Sequence, residues 1–203
     1  MSHELHGLFP TPVMEFNLER DFTQEEKDIV LEYEQFSSGN VYNRITDEKY
    51  VLQNIAFAQL KQDLDRCVDV YLKSVIMPSQ DCSIYITQSW LNYTEQNQSH
   101  HTHTHPNSLI SGVLYLDADD ENDNITFYRD RGFTIDFEVI QRNQLNSDAW
   151  TIPVKTGRLF LFPSNLPHSV KIKEGSNKRV SLAFNTFVKG HLGHGQSLTE
   201  LFI

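Results

Sequence analysis

The first third of the chain carries apolar residues at helical spacing. A short extended segment with two prolines, residues 8–16, comes first, and Thr23 and Glu26 then have the spacing of a capping box. Apolar residues recur at helical intervals from there to a polar stop at residues 37–40, and again over residues 55–75. The pattern predicts two amphipathic helices, each with one face that would cover a sheet.

Beyond Pro78 the spacing of apolar residues changes from helical to strand-like. Turn residues separate the segments, and no helical pattern lies between them. This favours a mainly β fold, a jelly roll whose outer sheet packs against the two N-terminal helices. The predicted strands are residues 83–93, 109–116, 124–128, 133–139, 150–154, 158–162, 168–173 and 179–187.

Length and composition narrow the class of protein. A chain of 203 residues fits a single domain, with an N-terminal strand and helices in 1–78, a jelly-roll core in 79–190 and a tail in 191–203. The formal net charge of −10 argues against a nucleic-acid partner or a membrane surface. With two cysteines, no leader pattern and no apolar window of membrane-spanning length, we expect a cytoplasmic protein with free thiols.

An acidic run occupies residues 117–123. Its spacing does not match an EF-hand loop, and the closing glutamate of such a loop is missing. We therefore interpret the run as a solvated turn between two strands.

The most informative stretch contains His100, His101, His103 and His105. On an extended backbone the side chains of His101, His103 and His105 point to one face. Neutral imidazole is a preferred ligand of iron, zinc, copper and nickel. The tract therefore predicts a metal site, in which the ligand pair is either His101 and His103 or His103 and His105.

A second candidate group lies downstream. His168 follows an apolar strand that ends at Pro163, and it begins the next predicted strand. A hairpin that turns at Gly175 would bring Arg179 back near His168, with Ser181 on the same strand face as Arg179. An arginine side chain binds a carboxylate through two parallel hydrogen bonds, and a neighbouring hydroxyl can share that anion.

At these residues the sequence resembles the 2-oxoglutarate- and Fe(II)-dependent oxygenases, and in particular a bacterial and phage group related to prolyl hydroxylases. The resemblance extends over most of the chain and implies a double-stranded β-helix, which is a variant of the jelly roll. The motifs that carry it are Leu8-Phe9-Pro10-Thr11-Pro12, Trp90-x-Asn92, His103-x-His105-Pro106-Asn107-Ser108, Ser111-Gly112-Val113, Phe162-Pro163-Ser164, Arg179-Val180-Ser181 and Phe184-Asn185.

The resemblance implies a ligand set for Fe(II). His103 is then the first ligand, His168 is the distal ligand, and His105 fills the position that usually holds Asp or Glu. A neutral third ligand leaves the bound metal with an additional net positive charge.

The resemblance also implies residues for the co-substrate. Arg179, assisted by Ser181, would hold the far carboxylate of 2-oxoglutarate, and Tyr115 would contact the same group. Asn92 and Tyr93 both fall where related enzymes have a co-substrate contact. Because adjacent strand residues face opposite ways, we expect only one of these two to serve.

These features together predict a dioxygenase that uses Fe(II), O2 and 2-oxoglutarate to hydroxylate a C–H bond, with a peptide or protein residue as substrate. Two alternatives stay open at this point: a three-histidine cupin-type metalloenzyme that does not use 2-oxoglutarate, and a non-enzymatic jelly-roll binding protein. The sequence leaves the primary substrate open, and it does not decide between a monomer and a homo-oligomer.

Overall fold

The structure is a computed structural model that describes residues 1–129, 135 and 137–203. Of the strand predicted at residues 133–139, residues 133, 134 and 136 lie outside the described residues, and residues 135 and 137–139 are not part of a strand. The strands of the described part are β1 Met14–Asn17, β2 Ser37–Gly39, β3 Arg44–Thr46, β4 Cys82–Thr94, β5 His100–His103, β6 Ile110–Asp117, β7 Asn124–Tyr128, β8 Ala149–Pro153, β9 Arg158–Pro163, β10 His168–Val170, β11 Arg179–Leu192 and β12 Leu201–Phe202.

Two α-helices precede the main run of strands: α1, Gln24–Gln35, and α2, Ala58–Tyr71. The predicted capping box of α1 is present, because the Thr23 hydroxyl accepts a hydrogen bond from the Glu26 main-chain N–H while the Glu26 carboxylate accepts one from that of Thr23. The second helical pattern is divided: a 3-10 turn, Ile55–Phe57, leads into α2, and a π-helical turn, Leu72–Ile76, ends it. Among the described residues, no helix is both long and apolar enough to span a membrane.

The strands form two antiparallel sheets. The major sheet has the order β1-β9-β6-β11-β4-β3-β2, with β12 added to the end of β11, and the minor sheet has the order β5-β10-β7-β8. Mostly β architecture, with two sheets and few helices, confirms the predicted jelly-roll class. The apolar faces of the helices pack on the outer side of the major sheet, where Leu60, Leu64 and Val68 join one buried cluster with Leu91 and Leu182. A second apolar cluster fills the space between the sheets and contains Tyr115, Ile125, Phe127, Phe160 and Phe162.

Three features differ from the predicted elements. The polar stop after α1 is a hairpin of β2 and β3, which extends the major sheet through pairing of Arg44 with Tyr93 and Ile45 with Asn92. Strand β11 continues past residue 187 to Leu192, and the predicted tail contributes β12. Strand β10 ends at Val170, earlier than predicted.

Candidate active site

The minor sheet aligns two of the predicted metal ligands. His168 of β10 is the direct antiparallel partner of His103 of β5. His105 lies just beyond β5, where its main-chain N–H donates to the carbonyl of Ser164 at 2.9 Å. One ligand nitrogen from each of the three histidines lies within 4.8 Å of the others. The chain thus forms a three-histidine metal site, although His103 and His168 are 65 positions apart in sequence.

The spacing of the three rings matches a coordination sphere. The Nε2 atom of His105 lies 3.1 Å from that of His103 and 3.3 Å from that of His168. Two nitrogens about 2.1 Å from one metal ion and at right angles to each other are about 3.0 Å apart. The three histidines can therefore occupy one face of an octahedral site and leave the opposite positions open.

Each ring has a partner for its second nitrogen. His103 Nδ1 lies 2.9 Å from the carbonyl oxygen of His101, and His168 Nδ1 lies 3.0 Å from that of Leu166. His105 Nδ1 lies 2.7 Å from Oδ1 of Asn185 on β11. Since these partners are acceptors, each Nδ1 carries the proton and each Nε2 presents its lone pair to the metal position.

Burial keeps these rings neutral. Burial first, and the proximity of His103 second, lower the pKa of His105 to about 4 and that of His168 to about 3. The pKa of His103 is also lowered, chiefly by burial. Neutral imidazole is the form that binds a metal ion, so the site is ready for metal at neutral pH.

A bulge in β5 changes the expected alternation of the histidine tract. His103 pairs with His168 and His100 pairs with Val170, so three steps on β5 match two on β10. As a result His100 lines the central cavity, while His101 is exposed and is not part of the three-histidine group. The expectation that His101 shares a face with His103 and His105 is wrong for this reason.

The three histidines lie in a cleft between the two sheets. Ser181 on β11 has Asn92 of β4 as its partner on one side and Tyr115 of β6 on the other, and all three side chains line the cleft. Arg179 lines it as well, two residues before Ser181 on the same strand face. Tyr93 is absent from this lining and its hydroxyl donates to the Val30 carbonyl at 2.7 Å, on the side of the helices.

Three polar atoms in the wall of this cleft have no partner within the described chain. They are the Tyr115 hydroxyl, Asn92 Oδ1 and Asn43 Oδ1, and all three are buried. Burial raises the pKa of Tyr115, so its phenol stays protonated and can donate. A buried polar group without a partner is costly, and a bound ligand with a carboxylate would satisfy the tyrosine donor beside Arg179. The side chains present therefore suit 2-oxoglutarate as well as a metal ion.

The acidic run contributes a buried charge. The side chain of Asp123 is 0% exposed, and it pairs with Lys173 Nζ at 2.9 Å and with Arg179 Nη1 at 3.2 Å. The expectation that the whole run is a solvated turn is therefore wrong for its last residue.

Sequence reasoning missed several residues around the site. Asn185, the partner of His105, belongs to a motif of the resemblance but has no assigned role in it. The Trp90 ring stacks on that of His105 with centroids 5.8 Å apart, and buried Asn43 reaches the cleft from the β2–β3 hairpin. Only pairing across distant strands brings these side chains together, so local spacing carries no signal for them.

Comparisons with known proteins agree with this site. Residues 88–185, which include the three histidines and Arg179, match a family model described as "Putative 2OG-Fe(II) oxygenase". No curated protein matches the chain in sequence.

Several solved structures share the fold. The carbocyclase SnoK from nogalamycin biosynthesis has a TM-score of 0.60 at 12% identity, over 87% of this chain and 79% of its own. HygX from Streptomyces hygroscopicus, with nickel, 2-oxoglutarate and hygromycin B bound, has a TM-score of 0.59 at 13% identity, over 87% and 82%. A prolyl-4-hydroxylase from Pseudomonas putida has a TM-score of 0.54 at 13% identity, over 86% and 92%. At these identities the likeness establishes the fold.

The family match, the jelly-roll fold and the metal site at its centre lead to one class. The match over residues 88–185, together with the fold, indicates a 2-oxoglutarate- and Fe(II)-dependent oxygenase. The candidate metal site of this chain consists of three histidines.

Proposed function

We propose that the chain hydroxylates an unactivated C–H bond of a residue in a peptide or protein, with Fe(II) held by His103, His105 and His168 and with 2-oxoglutarate held at Arg179. The observation that carries the proposal is the cleft itself. It has three converging imidazoles in one part of its wall and an arginine beside unpartnered polar atoms in another.

Arg179, Ser181 and Tyr115 are the residues that bind the far carboxylate of 2-oxoglutarate in this proposal. The guanidinium supplies charge and parallel donors, and the two hydroxyls supply further hydrogen bonds. Asn92, rather than Tyr93, completes this subsite, because only Asn92 lines the cleft. The subsite fixes one end of the co-substrate, so its 2-oxo acid end can reach the metal position.

Fe(II) and 2-oxoglutarate, when bound, supply oxidative decarboxylation to succinate and CO2 with insertion of one oxygen atom from O2 into the substrate C–H bond. The chain's own part is to hold and orient. The Nδ1 hydrogen bonds fix the ligand rings, and apolar side chains such as Val113, Ile125 and Phe162 in the lining exclude water.

Because His105 stands where a carboxylate is usual, the three protein ligands of the metal carry no negative charge. Three neutral ligands offset none of the charge of Fe(II), whereas 2-oxoglutarate brings two negative charges. One of these charges lies at Arg179 in this proposal, so the carboxylate at the metal offsets half of the charge of Fe(II). The resemblance to prolyl hydroxylases supports the peptide class of substrate, and the fold shared with the P. putida enzyme is consistent with it.

The test measures succinate formed from 2-oxoglutarate by the Fe(II)-loaded protein under air, with peptide pools as substrate and mass spectrometry to detect addition of one oxygen atom. We expect peptide-dependent succinate. The Arg179→Ala variant should lose 2-oxoglutarate binding and keep the metal. Lys178→Ala is the matched control, because Lys178 is the neighbouring cation but pairs with Glu34 and Glu95 away from the cleft.

Two results would redirect the proposal. Full activity of Arg179→Ala without 2-oxoglutarate would identify a three-histidine metalloenzyme that does not use this co-substrate. Succinate formation that responds to small molecules and to none of the peptides would overturn the substrate class and leave the oxygenase assignment intact.

A further inference from the structure

A cluster of three charged side chains lies at the co-substrate end of the cleft. Asp123 pairs with Lys173 and Arg179, and the exposed fractions of these side chains are 0%, 0% and 4%. Lys173 also donates to Asn177 Oδ1 at 2.8 Å, and the main-chain N–H of Asp119 donates to Asp123 Oδ2 at 3.0 Å. The cluster is therefore a built, buried structure that joins the loop before β7 to the segment before β11.

The three side chains differ in which of them reach the cleft. Arg179 lines it, while Asp123 and Lys173 do not. Asp123 Oδ1 accepts a hydrogen bond from Arg179 Nη1 and a second one from Lys173 Nζ, so one carboxylate oxygen is shared by the two cations. Tyr115 lies close enough for both charges to act on it: besides burial, which raises the pKa of its phenol, Arg179 lowers this pKa and Asp123 raises it.

The buried charges of the cluster do not cancel. One carboxylate faces two cations, which leaves a net charge of about +1 where solvent does not reach. One carboxylate of a ligand at Arg179 would bring that sum to zero. If Lys173 were absent, Asp123 alone would neutralise Arg179, and the same ligand would bring an unbalanced negative charge.

We propose that Asp123 and Lys173 are positioning residues for co-substrate binding: Asp123 fixes the direction of the Arg179 guanidinium, and Lys173 neutralises Asp123 so that Arg179 keeps its charge for the ligand carboxylate. This inference rests on the proposed binding of 2-oxoglutarate at Arg179. It assigns a role to the end of the acidic run and to a buried lysine 50 residues away in sequence.

The experiment compares Lys173→Met, Lys173→Gln and the double variant Asp123→Asn/Lys173→Met with the full-length protein. The affinity for 2-oxoglutarate is measured by calorimetry on Ni(II)-loaded protein without O2, so no turnover is needed, and urea unfolding of each variant gives its stability. Lys178→Met is the matched control, because it removes a cation outside the cluster.

We expect both single variants to weaken 2-oxoglutarate binding at least about tenfold, since a carboxylate then competes with an uncompensated Asp123 in a low-dielectric site. Lys173→Gln removes the positive charge but keeps a hydrogen-bond donor for Asp123. A loss of 2-oxoglutarate affinity in this variant therefore reports the missing charge rather than altered packing. The double variant removes both charges and should bind within about threefold of the unmodified chain. Lys178→Met should leave the affinity unchanged.

A merely structural role for Lys173 predicts a different set of results. The double variant would then bind as weakly as Lys173→Met, and loss of affinity would follow loss of stability; either outcome overturns the inference. Unchanged affinity for 2-oxoglutarate in Lys173→Gln would also overturn the inference. This variant keeps the test usable if Lys173→Met does not fold. Failure of the proposed function is distinct, because the unmodified chain and Arg179→Ala would then bind 2-oxoglutarate equally weakly.

Discussion

The hydrogen bond from His105 to Asn185 is the part of the metal site most open to a single substitution. The other two ligand histidines donate to main-chain carbonyls, which no side-chain change removes. His105 instead donates to the Asn185 side chain at 2.7 Å. Asn185→Leu removes that acceptor, keeps a similar side-chain size and leaves all three metal ligands in place.

The magnitude follows from what the bond does. Its loss leaves a half-buried N–H without a partner, which costs about 1–3 kcal/mol, and frees the ring to turn or to move its proton to Nε2. Loss of such an outer partner of a ligand histidine typically weakens metal binding about 10- to 100-fold. That range corresponds to about 1.4–2.7 kcal/mol at 25 °C.

The assay is competition for Fe(II) or Co(II) against a chromophoric chelator without O2, with urea unfolding to confirm that each variant is folded. Asn185→Asp is the matched control. It keeps an acceptor for His105 Nδ1 and adds a negative charge near the metal, so its affinity should equal or exceed that of the unmodified chain. The reasoning is refuted if Asn185→Leu keeps its metal affinity within about twofold, or if Asn185→Asp loses as much as Asn185→Leu.

Three further predictions concern the site and the fold. His105→Asp should lower the ratio of Ni(II) to Mn(II) affinity, because imidazole suits nickel and carboxylate suits manganese; an unchanged ratio in competition titrations would show that His105 is not a ligand. Gly112→Ala should lower the free energy of unfolding in urea by about 1–3 kcal/mol, because the new Cβ would lie 2.1 Å from the Phe184 ring. Gly39→Ala is its control: the new Cβ would have nothing within 4 Å, so the free energy of unfolding should change by less than about 0.5 kcal/mol. Thr23→Ala should cost about 1 kcal/mol in the same assay through loss of the α1 cap, and an unchanged midpoint would mean that the capping box adds nothing.

The sequence predicted those parts of the fold that depend on local patterns. Short strand-like segments bounded by turn residues located the strands that became β4, β6, β7 and β9, and the Thr23 capping box located the start of α1. The β2–β3 hairpin was not predicted because each of its strands has only three residues and those of β2, Ser37–Gly39, have little β propensity. Pairing with β4 places them in the sheet.

The candidate site was predictable only in part, for a similar reason. Residue type and spacing identified the histidine tract and His168, and the resemblance to the oxygenases implied His103, His105 and His168 as one ligand set. The structure brings these three together. The bulge that turns His100 inward depends on the register between β5 and β10, which spacing within β5 does not contain. The burial of Asp123 depends on its ion pair with Lys173, which is distant in sequence. Without that partner, an aspartate in an acidic run is expected to be exposed to solvent.

The pairing of His103 with His168 across two strands has a consequence for how the metal site is maintained. Main-chain hydrogen bonds of a sheet, not the metal, hold these two rings opposite each other, and a main-chain bond to Ser164 holds His105 beside them. A small zinc domain, in contrast, folds only as its metal binds. In this chain the register of the sheet sets the ligand geometry, so we expect a metal ion lost to a chelator to be replaceable in the folded protein. Loading and exchange of the metal would then be separate from folding.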